Sequence, residues 1–203
     1  MFALLTGFAD AYKKSRITRA LVYDKSIPPI TTPYMQAFKL SCLCEAGEYE
    51  TVQKELRDYF GNMAETGTST FWETYKIGEQ KESATDMYGR PFGRSQCHIW
   101  GAGAILIIGK YFYGLCNDTA YGDSFALSPY LPAIENTSVT LPLKNGKVSI
   151  TCRGGVLSVY AEGHSGDLRL NGVTHELTAG KTYTFDIRTK TQLFTTLPET
   201  QAI

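Results

Sequence analysis

The sequence predicts an α plus β fold with the two classes kept apart: αα-hairpins first, an antiparallel β-sandwich after them. Three observations predict it. Up to about residue 115, apolar side chains recur three or four apart. From about residue 123 onward they alternate with polar ones in short, β-branched and aromatic runs. Between the helical runs, residues 64 to 93 follow neither period and carry Gly67, Gly78, Gly89, Pro91 and Gly93. The predicted domains are therefore residues 1–115, helical, and 116–203, β.

The helical elements follow in order. Phe2, Leu5, Ala9 and Tyr12 fall on one helical face, and Ile17, Leu21 and Val22 suggest a second, shorter piece. The prolines of "SIPPITTP" stop it. Thr32 then offers a hydroxyl N-cap and Pro33 suits the first helical position. That helix carries Met35, Phe38 and Leu43, and Gly47 suits its end. Val52, Leu56, Tyr59 and Phe60 start a new helix almost at once, so residues 32 to 63 read as an antiparallel αα-hairpin. The glutamates 45, 48, 50 and 55 read as its solvated face. The run from Ser95 to Leu115 reads as a helix capped near Ser95, apolar nearly all round and so deeply buried. Gly101 and Gly103 oppose helix formation, and a close approach by another helix or a ligand would account for them.

In the second half, "SVTLPL", "KVSITC", "VLSVYAE", "LRLNG" and "KTYTFDI" read as strands. Asn145-Gly146 suits a two-residue hairpin turn, and Gly154-Gly155, Asn171-Gly172 and Ala179-Gly180 punctuate the rest. Antiparallel strands at this spacing predict a sandwich.

The 203 residues carry 20 basic and 20 acidic side chains, a net charge of zero. No basic stripe or acidic tail points to a nucleic-acid or membrane partner. The longest apolar run, Ala102 to Ile108, is too short to span a bilayer. The apolar start lacks a preceding basic region and is interrupted by Asp10, so no secretion leader is read and a cytoplasmic location is expected. Five scattered cysteines, Cys42, Cys44, Cys97, Cys116 and Cys152, fit reduced thiols better than a disulfide framework. No metal site and no cofactor are expected.

The chemistry concentrates in "TSTFWETYKIGEQ", residues 68 to 80. Its aromatics argue for order. A carboxylate at Glu73, between Trp72 and Tyr75, can be partly desolvated, which suits proton transfer; the plainer reading is a solvated loop acid.

The order "TTPYM … LCEAGEY … YFGNMAETGTSTFWETY … MYGRPFGRSQCHIWGAGAILIIGKYFYGL" resembles the C-terminal part of α-L-rhamnosidase-like glycoside hydrolases, members of the wider six-hairpin glycosidase group. The resemblance covers roughly residues 1 to 190. Its most specific piece is Gly-Thr-Ser-Thr-Phe-Trp-Glu, residues 67 to 73, where the family carries its catalytic general base. It implies an (α/α)6 barrel followed by a small β-sandwich, hydrolysis of a terminal α-L-rhamnose or similar sugar with inversion, and no cofactor. Fewer helices are legible here than a complete barrel contains, and the family's general acid lies upstream of the matched part. The resemblance therefore implies a C-terminal portion, inactive alone, whether truncated, decayed or one half of a split enzyme. Open helix faces would then favour self-association or a complementing N-terminal part.

On this resemblance Glu73 is the general base that activates water, opposite an acid supplied from elsewhere. Trp72, in the irregular loop, is the better sugar platform; Trp100 is balanced between platform and core. His98 would hydrogen-bond a sugar hydroxyl or influence Glu73, against an ordinary buried histidine. Arg90, with Arg94, would orient the carboxylate or hold hydroxyls, against an ion pair pinning the loop. Tyr88 would line the pocket. His164 and His175 are assigned to the surface. The alternative from another class is a non-catalytic carbohydrate-binding or interaction module.

Overall fold

The computed structural model describes residues 1–67, 69–78, 90–91, 93–117, 123–189 and 191–196. The chain divides into two compact units, Met1–Ile107 and Ile108–Ile203.

In the first unit, α1 (Phe2–Leu5) and α2 (Ala11–Tyr23) replace the single amphipathic run expected from Phe2 to Tyr12. Gly7 takes φ +71, which ends α1, and Asp10 then caps α2 by accepting from the Lys13 amide at 2.8 Å. Helix α3 (Pro33–Glu45) starts with proline at its first turn, as expected, but Thr32 contributes no side-chain cap bond. Gly47, at φ +85, turns the chain into α4 (Tyr49–Glu55). The helix continues through a π-helical stretch, Leu56–Gly61, into α5 (Asn62–Glu65).

The hairpin is antiparallel because residues on either side of the turn meet. Gln36 Nε2 and Lys39 Nζ, both on α3, donate to Glu55 on α4 at 2.7 Å each. Glu55 is thus a half-buried anchor between helices and departs from the solvated face expected of it. Leu40, Leu43, Val52, Tyr59 and Met63 form the buried seam.

The expected helix from Ser95 starts later. A 3-10 turn, Ile99–Ala102, leads into α6 (Gly103–Ile107). Its glycines are explained by packing. A Cβ on Gly103 would lie 2.2 Å from Ala37 Cβ, and one on Gly101 would lie 2.8 Å from Phe71 Cβ. This segment is not deeply buried, contrary to expectation: Ala104 and Ile107 face inward, while Ile99 is 83% exposed and Trp100, Ile105 and Leu106 are exposed too. One apolar face packs on α3, and among the described residues the opposite face meets no covering layer.

The second unit begins with a π-helical turn, Ile108–Phe112, and adds a short helix α7 (Leu131–Ile134). Its strands are β1 (Cys116–Asn117), β2 (Phe125–Leu127), β3 (Thr137–Leu143), β4 (Gly146–Arg153), β5 (Val156–Glu162), β6 (Gly166–Leu170), β7 (Val173–Leu177), β8 (Thr182–Asp186) and β9 (Thr191–Thr196). A five-stranded sheet runs β3-β4-β5-β8-β9, wholly antiparallel. The four-stranded sheet, β1-β2-β6-β7, contains one parallel pair, β2 with β6, which the sequence pattern did not foretell. The inward residues Val148, Ile150, Cys152, Leu157, Val159 and Phe185 are buried, as are Leu168, Leu170 and Leu177 of the smaller sheet. The rings of His175 and Phe185 meet at 4.8 Å between β7 and β8, so the two sheets face each other there. His175 Nε2 and His164 Nε2 are buried, which corrects the surface assignment of both histidines.

The turns follow the glycines. Gly154-Gly155 and Asn171-Gly172 join paired strands with φ above zero at both residues, as a two-residue hairpin of the primed type requires. The β3–β4 turn is Lys144-Asn145, one residue earlier than expected, with Leu143 opposite Gly146. Gly146 is needed for proximity, because a Cβ there would lie 1.9 Å from the Glu162 carbonyl oxygen. The five cysteines, all among the described residues, are thiols outside any disulfide; Cys42, Cys44 and Cys152 are buried and Cys97 and Cys116 exposed.

Candidate functional site

Two segments far apart in sequence are laced together in the first unit. The His98 amide donates to the Phe71 carbonyl at 2.7 Å. The Thr70 hydroxyl donates to the Gln96 carbonyl. The Glu73 amide donates to the Ser95 carbonyl at 2.9 Å. The two backbone bonds pair 71 with 98 and 73 with 95, so the segments run antiparallel there. The sequence stretch that holds Glu73 is thereby joined to the one that holds His98 and Trp100.

The Ser95 amide also donates to Glu73 Oε2, at 3.2 Å. A carboxylate held by a backbone N–H keeps one orientation. Ser95 Oγ accepts from the Cys97 amide at 3.3 Å, so Ser95 closes a local turn instead of capping the helix, and His98 takes the N-cap position. Beside Glu73, the Thr74 hydroxyl is buried with no hydrogen-bond partner among the described residues.

The two tryptophans take opposite fates. Trp72 is 1% exposed, its ring 5.6 Å from Tyr75 in an edge-to-face contact. Tyr75 meets Tyr59 edge-on at 5.6 Å, donates its hydroxyl to Asn62 and, through its amide, bonds the Thr31 carbonyl at 2.7 Å. Trp72 is therefore packed into the interior of the unit and offers no open face; a burial of this kind is invisible in a loop with no period. Trp100 is 65% exposed, with the Tyr34 ring at 5.6 Å and the His98 ring at 5.7 Å. Tyr34 continues to Phe38 at 5.1 Å and Phe38 to Phe2 at 5.4 Å. The result is a row of aromatic rings along α3, open at Phe2, Tyr34 and Trp100.

Of the other expected site residues, His98 is half-buried and Arg90 is exposed. Tyr88 lies outside the described residues. The structure brings Glu73, His98 and Trp100 onto laced segments and separates Trp72 from the open surface. Sequence reasoning missed Tyr34 and the clamp from Ser95. Tyr34 had a signal, since it follows Pro33 on the exposed first turn of a helix; a backbone donor such as Ser95 has none in side-chain chemistry.

Clefts of about 310 and 540 Å³ in this unit are lined by α2 together with the 24–30 segment or the hairpin turn, and Glu73 lines neither. Among the described residues no group of three or more His, Cys, Asp or Glu side chains is placed to hold a metal ion, and no helix is long and apolar enough to cross a membrane.

No family model matches the sequence, and no curated protein sequence matches it. Solved structures that share the fold include two rhamnosidases. The GH78 family rhamnosidase of Bacillus sp. GL1 is 21% identical with a TM-score of 0.61, over 82% of this chain and 18% of that one. The alpha-L-rhamnosidase from Dictyoglumus thermophilum is 14% identical with a TM-score of 0.55, over 82% of this chain and 19% of that one. The chain spans less than a fifth of the length of either. At this identity the likeness is one of fold.

Proposed function

We propose that this chain is the base-bearing portion of an inverting glycoside hydrolase acting on terminal α-L-rhamnose or a similar sugar. Its helices supply part of an (α/α)6 barrel, and its β unit is the sandwich that follows such a barrel. Glu73 draws the proton from an attacking water while a general acid on a polypeptide outside residues 1–203 protonates the leaving oxygen. The observation that carries this reading is the clamp on Glu73. The Ser95 amide fixes the carboxylate, and the 71–98 lacing ties it to the segment bearing the open Trp100 ring. A base must be held within reach of its water, and a backbone donor holds it at little entropic cost. The likeness to two structures described as rhamnosidases supports the sugar class.

His98 reaches a sugar hydroxyl or the base from its N-cap position, and Arg90 is a further candidate for holding hydroxyls. Trp100, flanked by Tyr34, takes the stacking role that the sequence alone assigned first to Trp72. The exposed apolar side chains Ile99, Ile105 and Leu106 favour a complementing N-terminal polypeptide, or failing that self-association.

The test is hydrolysis of an aryl α-L-rhamnoside, by the chain alone and by the chain reconstituted with the polypeptide encoded upstream of it. Turnover in the reconstituted complex that disappears in Glu73→Gln supports the reading. Turnover that survives Glu73→Gln overturns it. The exposed Trp100–Tyr34 pair favours one second reading, a carbohydrate-binding module without catalysis. That reading predicts sugar binding lost in Trp100→Ala with no turnover in any combination.

A further inference from the structure

Two asparagines are followed directly by glycine, Asn145-Gly146 and Asn171-Gly172, and both stand at hairpin turns. The dipeptide is the same; its place in the turn is not. Asn171 and Gly172 are the two loop residues between β6 and β7, with Leu170 opposite Val173. A two-residue loop is closed by a bond from the amide after it to the carbonyl before it, so the amides inside the loop are left out. The Gly172 amide donates to no backbone carbonyl among the described residues. The β3–β4 loop sits one residue earlier on its dipeptide. Gly146 is the residue after that loop, opposite Leu143, and its amide is the closing donor.

Packing sharpens the difference. Both asparagine side chains are exposed. A Cβ on Gly172 would meet nothing within 4 Å. A Cβ on Gly146 would lie 1.9 Å from the Glu162 carbonyl oxygen, and one on Gly163 would lie 2.1 Å from the Asn145 carbonyl oxygen. The Asn145–Gly146 peptide is thus pressed against the end of β5. The Asn171–Gly172 peptide stands open at the tip of a hairpin whose second strand, β7, ends the order of its sheet. Such a tip distorts at little cost, because few contacts have to be broken.

We propose that Asn171 is a self-modification site, converted in the folded chain to aspartate and isoaspartate, and that the fold protects Asn145 from the same reaction. The Gly172 nitrogen, unshielded because glycine carries no side chain, gives its proton to solvent and bonds Cγ of Asn171. The Cγ–Nδ2 bond breaks, and the departing nitrogen takes a proton back from solvent and leaves as ammonia. Water then opens the resulting succinimide ring at either carbonyl, giving aspartate or isoaspartate. Water is the co-reactant, and nothing is oxidised or reduced. At Asn145 the attacking nitrogen is tied into the ladder and cannot turn toward the side chain until the hairpin end opens. The isoaspartyl product runs the chain through a side-chain carbon, which lengthens the two-residue loop and unsettles the Leu170–Val173 pair. The proposal does not rest on catalysis by this chain.

The experiment is prolonged incubation of the intact chain at mildly alkaline pH, followed by peptide mapping and by labelling with an isoaspartate-specific methyltransferase. The expected result is conversion at Asn171 about tenfold faster than at Asn145, because the Gly146 amide must first give up a backbone hydrogen bond. In urea, where both turns are lost, the two sites should convert at similar rates, which assigns the difference to the fold. Asn171→Gly accepts the positive φ but has no amide to lose, so it should remove most of the isoaspartate label with unchanged thermal unfolding. Asn145→Gln should leave the label as it is, and keeps the test decisive should the glycine variant fold poorly. Equal rates at the two sites of the folded chain, no conversion at Asn171 in the folded chain, or a label lost with Asn145→Gln would each overturn the proposal.

Discussion

Glu73 and Ser95 hold each other through two hydrogen bonds: the Glu73 amide donates to the Ser95 carbonyl at 2.9 Å, and the Ser95 amide donates to the Glu73 carboxylate at 3.2 Å. One residue thus fixes both the backbone and the side chain of the other, across twenty-two positions of sequence.

This relationship separates stability from chemistry. Glu73→Ala removes the acceptor and leaves the Ser95 amide short of a partner, at a cost of about 1–3 kcal/mol. Glu73→Gln keeps an acceptor and should cost less than about 1 kcal/mol. Chemical denaturation should therefore rank Ala well below Gln, whereas turnover in the reconstituted complex should be lost equally in both.

Gly101 and Gly103 offer a test in which two principles disagree in sign. Helix propensity alone favours alanine at a helical glycine by about 1 kcal/mol. Packing opposes it, because the new methyl would lie 2.2 Å from Ala37 Cβ at Gly103 and 2.8 Å from Phe71 Cβ at Gly101. Overpacking of this kind costs about 1–3 kcal/mol. Gly103→Ala should lower the thermal midpoint by several degrees, and more than Gly101→Ala does.

The tryptophans should be distinguishable without any ligand. Iodide should quench Trp100 and spare Trp72, so the variant Trp100→Phe should lose most of the quenchable fluorescence. Trp72→Ala should cost about 3–5 kcal/mol and leave little folded protein. Trp100→Ala should leave the fold near its original stability.

The cysteines predict both reactivity and pH dependence. Cys97 and Cys116 should react at once with an aromatic disulfide reagent, and Cys42, Cys44 and Cys152 only on unfolding. Burial pushes the Cys42 and Cys152 thiols up from the ordinary value of 9.0. A proton held more tightly when folded stabilises the fold in full below the unfolded value and is lost as pH rises above it. Denaturation midpoints should therefore fall as pH rises from about 9, and Cys152→Ala should flatten that fall.

Local rules explain what was legible. The α3–α4 hairpin was readable because Pro33 and Gly47 act within a single turn, and the two Gly-containing hairpins because φ above zero is a property of the residue itself. Strands β7 and β9 and the parallel β2–β6 pair were not, since a weak alternation gains its partner only from distant chain. Glu55 looked solvated because its partners, Gln36 and Lys39, lie across the turn.

The sequence by itself determined the segregation of helices from strands, the turns, and the concentration of chemistry between residues 67 and 100. These follow from side-chain period and backbone preference, which are local. Only the tertiary structure decided that Trp72 is buried and Trp100 open, that Ser95 clamps Glu73 instead of capping a helix, and that β2 pairs in parallel with β6. Burial and register are properties of pairs of segments, and a pair is defined only once the chain has folded.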